Sequence, residues 1–91
     1  MPMSESDIFL TVKRVLAEVT HDPSVLDLGP GARLRDELGI DSMTSLTFLM
    51  ALEDAIDGFV VDAATLEAEH FETIGSICRY VALQLASERV G

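Results

Sequence analysis

Residues 39–54 read GIDSMTSLTFLMALED, and the fold turns on how this stretch is read. Asp41 or Ser42 opens a helix, because a short oxygen-bearing side chain satisfies the first free backbone amides. The apolar residues then continue to Ile56, where Asp57-Gly58 breaks the run. At about 100° per residue, Ser45, Phe48, Leu49, Leu52 and Ile56 fall on one side, the side expected to face a core. Met43, Leu46 and Met50 stack at i, i+3 and i+7 on another side, with Thr47, Glu53 and Asp54 beside them. One helix thus carries two apolar stripes. Either a thin bundle buries its central helix on two sides, or the second stripe is an exposed docking face with an acidic rim, whose methionines adapt to more than one partner.

Upstream, Ser4-Glu5-Ser6-Asp7 has the form of a capping box, and Ile8, Val12, Val15, Leu16 and Val19 follow at helical spacing until His21-Asp22-Pro23. Residues 22–40 carry Pro23, Gly29-Pro30-Gly31 and Gly39, which predict a long loop. Val25, Leu26, Leu28, Leu34 and Leu38 predict that this loop packs down onto the rest. Downstream, Asp62-Ala63-Ala64-Thr65-Leu66-Glu67 predicts the cap of a short helix, with Leu66 and Phe71 inward. Thr73 then opens a final helix on Ile74, Ile77, Cys78, Val81 and Leu85. The run Phe59-Val60-Val61 is short for a strand and has no second strand to pair with. The pattern predicts an all-α bundle of three long helices and one short one, with the long loop between helices 1 and 2, in a single domain over residues 1–91.

Composition narrows the function. The formal net charge of -10 comes from 16 acidic and 6 basic residues. The basic residues are scattered, so the chain repels nucleic acid rather than binding it; partners are expected to carry positive patches. Hydrophobic residues make up 48% and recur at regular spacing, which excludes an acidic disordered tail. No apolar run approaches the roughly 20 residues of a bilayer span, and MPMSESD lacks a signal layout. A cytoplasmic protein without a membrane span is expected. Cys78, the single cysteine, has no disulfide partner and fits the apolar register of the last helix as a buried thiol. His21 and His70 have no further ligand at metal spacing. A calcium loop fails on its ligands: with Gly58 at the turn position, Ala55 and Ala64 stand where oxygen donors belong. A serine hydrolase fails too, because Ile40-Asp41-Ser42-Met43-Thr44 lacks the glycines of a nucleophile elbow.

At a helix start, Ser42 has two readings. It is a plain cap, or it is an oxygen on which an attached phosphate would be stabilised by free amides and the positive end of the helix dipole.

The phrase Leu38-Gly39-Ile40-Asp41-Ser42-Met43 resembles the Leu-Gly-x-Asp-Ser-[Leu/Met] signature of the acyl and peptidyl carrier proteins. Leu52-Glu53-Asp54 is similar to the acidic end of that family's second helix, and Phe71-Glu72-Thr73-Ile74 to its lead into the last one. The resemblance implies a carrier-protein bundle with no catalytic activity of its own and no metal site. It implies 4'-phosphopantetheine attached to Ser42 by a phosphopantetheinyl transferase that uses coenzyme A and magnesium, with Asp41 assisting at that enzyme's site. Partner enzymes would recognise Met43, Leu46, Thr47, Met50, Glu53 and Asp54. They include an adenylating ligase or acyltransferase that loads the cargo, and downstream biosynthetic enzymes. A shuttle of this kind is expected to be a monomer. Thr44, Ser45 and Thr47 stand where fatty-acid carriers often have acids, and Glu69-His70-Phe71-Glu72-Thr73 looks more like the stand-alone D-alanyl and aminoacyl carriers, so an aminoacyl or specialised biosynthetic cargo is expected. The alternatives are a discrete acyl carrier for fatty acid or polyketide synthesis and, in another class, a helical adaptor with no prosthetic group.

Overall fold

The computed structural model describes residues 4–62, 64 and 66–90, the last four as backbone. Helix α1 spans Glu5–Thr20. Its capping box is formed as the sequence predicts: the Asp7 amide donates to Ser4 Oγ at 3.1 Å and the Ser4 amide to Asp7 Oδ2 at 3.4 Å. His21 ends it in the left-handed region, at φ 57°. Ile8, Val12, Val15 and Leu16 form its buried stripe.

The connection after α1 is more ordered than a loop. Pro23–Asp27 makes a turn of 3-10 helix, started by Asp22, whose carboxylate accepts from the amide and hydroxyl of Ser24. These bonds hold its pKa below the usual carboxylate value. Leu34–Leu38 forms a short helix, α2, closed by Gly39 at φ 65°, a conformation that suits glycine. Val25 and Leu34 are buried and Leu28 and Leu38 half-buried, as packing down requires, whereas Leu26 is exposed. Two devices fasten the connection. Lys13 is buried and donates from Nζ to the carbonyls of Leu26 at 3.0 Å and Leu28 at 3.3 Å. Backbone bonds from Leu34 to Glu72, Ile74 to Ala32 and Gly75 to Pro30 tie the segment to the start of the last helix through a single antiparallel bridge, Arg33 to Thr73.

Helix α3 runs Ser42–Ala55 and α4 Ile74–Val90. The short helix predicted at Asp62 is displaced: residues 63 and 65 of that stretch lie outside the described residues, Leu66 and Glu67 are not helical, and a 3-10 turn forms at Ala68–Phe71 instead. Its cap is local chemistry, since His70 Nδ1 accepts the Glu67 amide at 2.9 Å while the imidazole lies 4.9 Å from the Tyr80 ring. Among the described residues there are four α-helices, three of them long, but the short one is α2 rather than the segment at 62. Residues 59–61 form neither helix nor strand.

The core lies where α1 meets α3 and α4. Phe48, Leu52, Ile74, Ile77 and Val81 are each wholly removed from solvent, an apolar burial of about 1.5–3 kcal/mol per side chain. Tyr80 is buried with them, and its hydroxyl accepts the Asp62 amide and donates to the Asp62 carbonyl, pinning residues 59–62 against α4. Cys78 is half-buried rather than fully buried, and desolvation pushes its thiol up to about 11.

Candidate functional site

The site is built by the junction between α2 and α3. Gly39 turns the chain out of α2, Ile40 is buried and anchors the turn, and Asp41 follows as the N-cap of α3. Asp41 Oδ1 accepts the Thr44 amide at 2.8 Å. Bonds from the backbone and hydroxyl of Thr44 hold its carboxyl below the usual value, with the Met43 amide adding a smaller effect. Because Asp41 does the capping, Ser42 does not. The plain-cap reading of Ser42 therefore fails: it is the first helical residue, and it is exposed.

The first-turn amides of a helix have no partner within it. Asp41 takes that of Thr44, while those of Ser42 and Met43 lie outside the helix's own ladder, next to the Ser42 hydroxyl and at the positive end of the helix dipole. An anionic phosphate on Ser42 Oγ fits this environment, since the group would meet backbone donors and solvent, with no buried surface to clash against.

The two stripes of α3 separate cleanly. Phe48, Leu49, Leu52 and Ile56 are buried and Ser45 half-buried. Met43, Leu46 and Met50 are 76%, 62% and 66% exposed, so the reading in which a thin bundle buries both sides is overturned. Thr47, Glu53 and Asp54 are exposed beside them. Thr47 Oγ1 donates to the Met43 carbonyl at 3.2 Å, and Glu53 accepts the Val61 amide at 3.2 Å. Glu53 is thus partly a brace for the segment after α3, which its sequence position did not reveal.

Beside Ser42 lies an open cleft of about 890 Å³. Leu46, Leu49, Leu66 and Phe71 give it apolar walls, and Arg33 and Arg35 stand at its edge. Sequence reasoning marked Leu66 and Phe71 as inward but missed that they line one cleft with Leu49 and Ser42, because the placement depends on the bridge between the connection and α4. No group of three or more His, Cys, Asp or Glu suited to a metal occurs among the described residues. No helix among them is long and apolar enough to cross a membrane.

Comparisons with known proteins span most of the chain. The family model described as the phosphopantetheine attachment site matches residues 11–81. An acyl carrier protein of Streptomyces coelicolor is 26% identical over 87 residues, 96% of this chain and 91% of its own. One from Desulforapulum autotrophicum is 31% identical over 77% of this chain and 87% of its own; one from Saccharopolyspora erythraea is 35% identical over 82% and 75%. No solved structure gives a significant match. With a family model over most of its length and relatives aligned over 77–96% of it, the chain belongs to the phosphopantetheine-attachment family, the carrier proteins, which are not themselves enzymes.

Proposed function

We propose that Ser42 is the residue that bears the 4'-phosphopantetheine arm, that Asp41 assists its attachment, and that Met43, Leu46, Thr47, Met50, Glu53 and Asp54 form the face presented to partner enzymes. One observation carries this reading: the Ser42 hydroxyl is exposed at the start of α3 while its neighbour Asp41 fills the capping role. When attached, the arm supplies a terminal thiol that holds an acyl or aminoacyl group as a thioester.

The chain's own residues do four things. Gly39 and the buried Ile40 fix the turn that projects Ser42 outward. Asp41 keeps the first turn of α3 formed, with Ser42 at the positive end of the helix dipole, where an attached phosphate is favoured. The open cleft beside the attachment point is lined by Leu46, Leu49, Leu66 and Phe71 together with Arg33, Arg35, Asp36 and Glu72, so a cargo lying in it would meet both apolar and charged side chains. The stripe of Met43, Leu46 and Met50 borders Ser42, so an enzyme resting on it has the attachment point within reach.

The partners in this reading are a phosphopantetheinyl transferase working with coenzyme A and magnesium, an adenylating ligase or acyltransferase that loads the cargo, and the enzymes that consume it. Thr44, Ser45 and Thr47 in the first turns of α3 favour an aminoacyl or specialised cargo; relatives named as acyl carrier proteins favour a discrete acyl carrier. The test is to offer the modified chain to an amino-acid-activating enzyme and to a malonyl transferase, scoring a mass gain that hydroxylamine reverses. Loading by the first supports the aminoacyl reading, loading by the second alone rejects it, and a modified chain that no loading enzyme charges counts against a carrier role.

A further inference from the structure

Among the described residues the amide of Glu67 has a single acceptor, and that acceptor is titratable: Nδ1 of His70, at 2.9 Å. An imidazole nitrogen accepts only while it carries no proton, so this bond places the ring hydrogen on Nε2 and requires the neutral ring. It sits between a firm post and a weak turn. The post is Asp62, held at its amide and carbonyl by the buried Tyr80 hydroxyl, and its carbonyl also takes the Leu66 amide at 3.0 Å. The turn Ala68–Phe71 contains no buried residue, and its backbone is closed by only two bonds, His70 to Glu67 at 3.0 Å and Glu72 to Glu69 at 3.3 Å. Leu66 and Phe71, on either side of the Glu67 bond, both line the cleft beside Ser42.

We propose that His70 is a pH-sensitive latch on that cleft: its neutral imidazole holds the Glu67 amide, and with it the wall made by Leu66 and Phe71, and a proton on Nδ1 releases the wall. Imidazole is the side chain that ordinarily changes charge between pH 5 and 8. Once Nδ1 carries a proton, two donors face each other and the Glu67 amide loses its acceptor. The bond is therefore present at the alkaline end of that range and lost toward the acid end. The ring keeps its seat, because an imidazolium is attracted to the face of the Tyr80 ring, 4.9 Å away; the backbone is what moves. The charged groups around His70 are Glu67 and Glu69 on its own turn, Glu72 after it, Arg79 from α4, and Arg33 on the cleft side. Carboxylates and guanidinium groups ordinarily keep their charge from pH 8 down to about 5.5, and a tyrosine hydroxyl stays neutral there. What the cleft does for a cargo rests on the carrier reading, whereas the latch itself is a property of the unmodified chain.

The test measures solvent exchange of backbone amides by NMR on the unmodified full chain, from about pH 8 to about pH 5.5, with the His70 ring proton resonances titrated in parallel. Protection of the Glu67, His70 and Glu72 amides is expected to fall about three- to tenfold toward the acid end, the loss of one neutral hydrogen bond. The Leu16 and Phe48 amides, inside α1 and α3, are expected to hold their protection. His70→Asn offers a non-titrating oxygen in place of Nδ1 and is expected to keep the turn protected at both ends of the range. His70→Phe keeps a ring against Tyr80 without an acceptor and is expected to leave the turn poorly protected at both. A ring that does not titrate in this range, or one that titrates while protection of the turn stays constant, overturns the latch. So does a loss shared equally by Leu16 and Phe48, a His70→Asn chain that follows pH as wild type does, or a His70→Phe chain as protected as wild type. None of these results bears on Ser42, whose modification is tested separately.

Discussion

Lys13→Met tests how the long connection is held. In the native chain the Lys13 ammonium donates to two carbonyls, of Leu26 and Leu28, and lies 4.3 Å from the centre of the Phe9 ring. Hydrogen bonds to a charged group contribute about 1.5–3 kcal/mol each, and a partly desolvated cation over an aromatic face about 0.5–2 kcal/mol. Against these stands the cost of burying the ammonium, several kcal/mol after relaxation. Methionine keeps the packing of the stem and removes that cost, but it leaves both carbonyls without the donor. Neither Leu26 nor Leu28 is buried, so water recovers part of the loss. The net expectation is a destabilisation of about 1–2 kcal/mol, which for a domain of this size lowers Tm by roughly 5–15 °C. Thermal and urea unfolding of the two proteins, followed by circular dichroism, measures it. An unchanged or raised Tm would refute the reasoning, because it would mean that desolvation of the ammonium outweighs the bonds it makes.

Asp41 has a depressed native pKa, so the stabilisation it gives is present above the unfolded carboxylate value and is lost as pH falls through the lower native one. Asp41→Asn keeps a capping oxygen and removes the titration; its stability should fall less steeply than wild type on the acid side, and parallel acid limbs in denaturant titrations would contradict this. Cys78, with its thiol pushed up to about 11 from 9.0, should alkylate about a hundredfold more slowly than an unhindered cysteine of ordinary pKa near pH 8, and a matching rate in an iodoacetamide time course would show that burial is not controlling it. Gly75→Ala places a Cβ 3.1 Å from the Pro30 carbonyl oxygen that the Gly75 amide itself binds. The contact is expected to outweigh the gain of about 1 kcal/mol in helix propensity, so urea unfolding should show net destabilisation, and a stabilised variant would mean that the Pro30 turn yields.

The parts of the fold that depend on local pattern were legible in the sequence. The Ser4 box, the stripe of α1, the limits of α3 and the register of α4 each follow from residues within one or two turns of each other. The separation of α3 into a buried and an exposed stripe was visible, but which reading of the second stripe held was not, because burial depends on what packs alongside. Three features escaped because they join distant segments: the Lys13 clamp on Leu26 and Leu28, the bridge from Arg33 to Thr73, and the cleft between α3 and the turn at Ala68–Phe71. Helix α2 was hidden by its length, since one turn flanked by glycines reads as loop and is held by tertiary contacts rather than propensity. At the site, the phrase around Ser42 was legible. That Asp41 rather than Ser42 caps the helix required the geometry.

The most direct test of the central claim is the intact mass of the chain after incubation with coenzyme A, magnesium and a broad-specificity phosphopantetheinyl transferase, with Ser42→Ala as the control. The account predicts a gain of one phosphopantetheine by wild type and none by Ser42→Ala. A modified Ser42→Ala protein, or a wild type that gains nothing with any of several transferases, would contradict it.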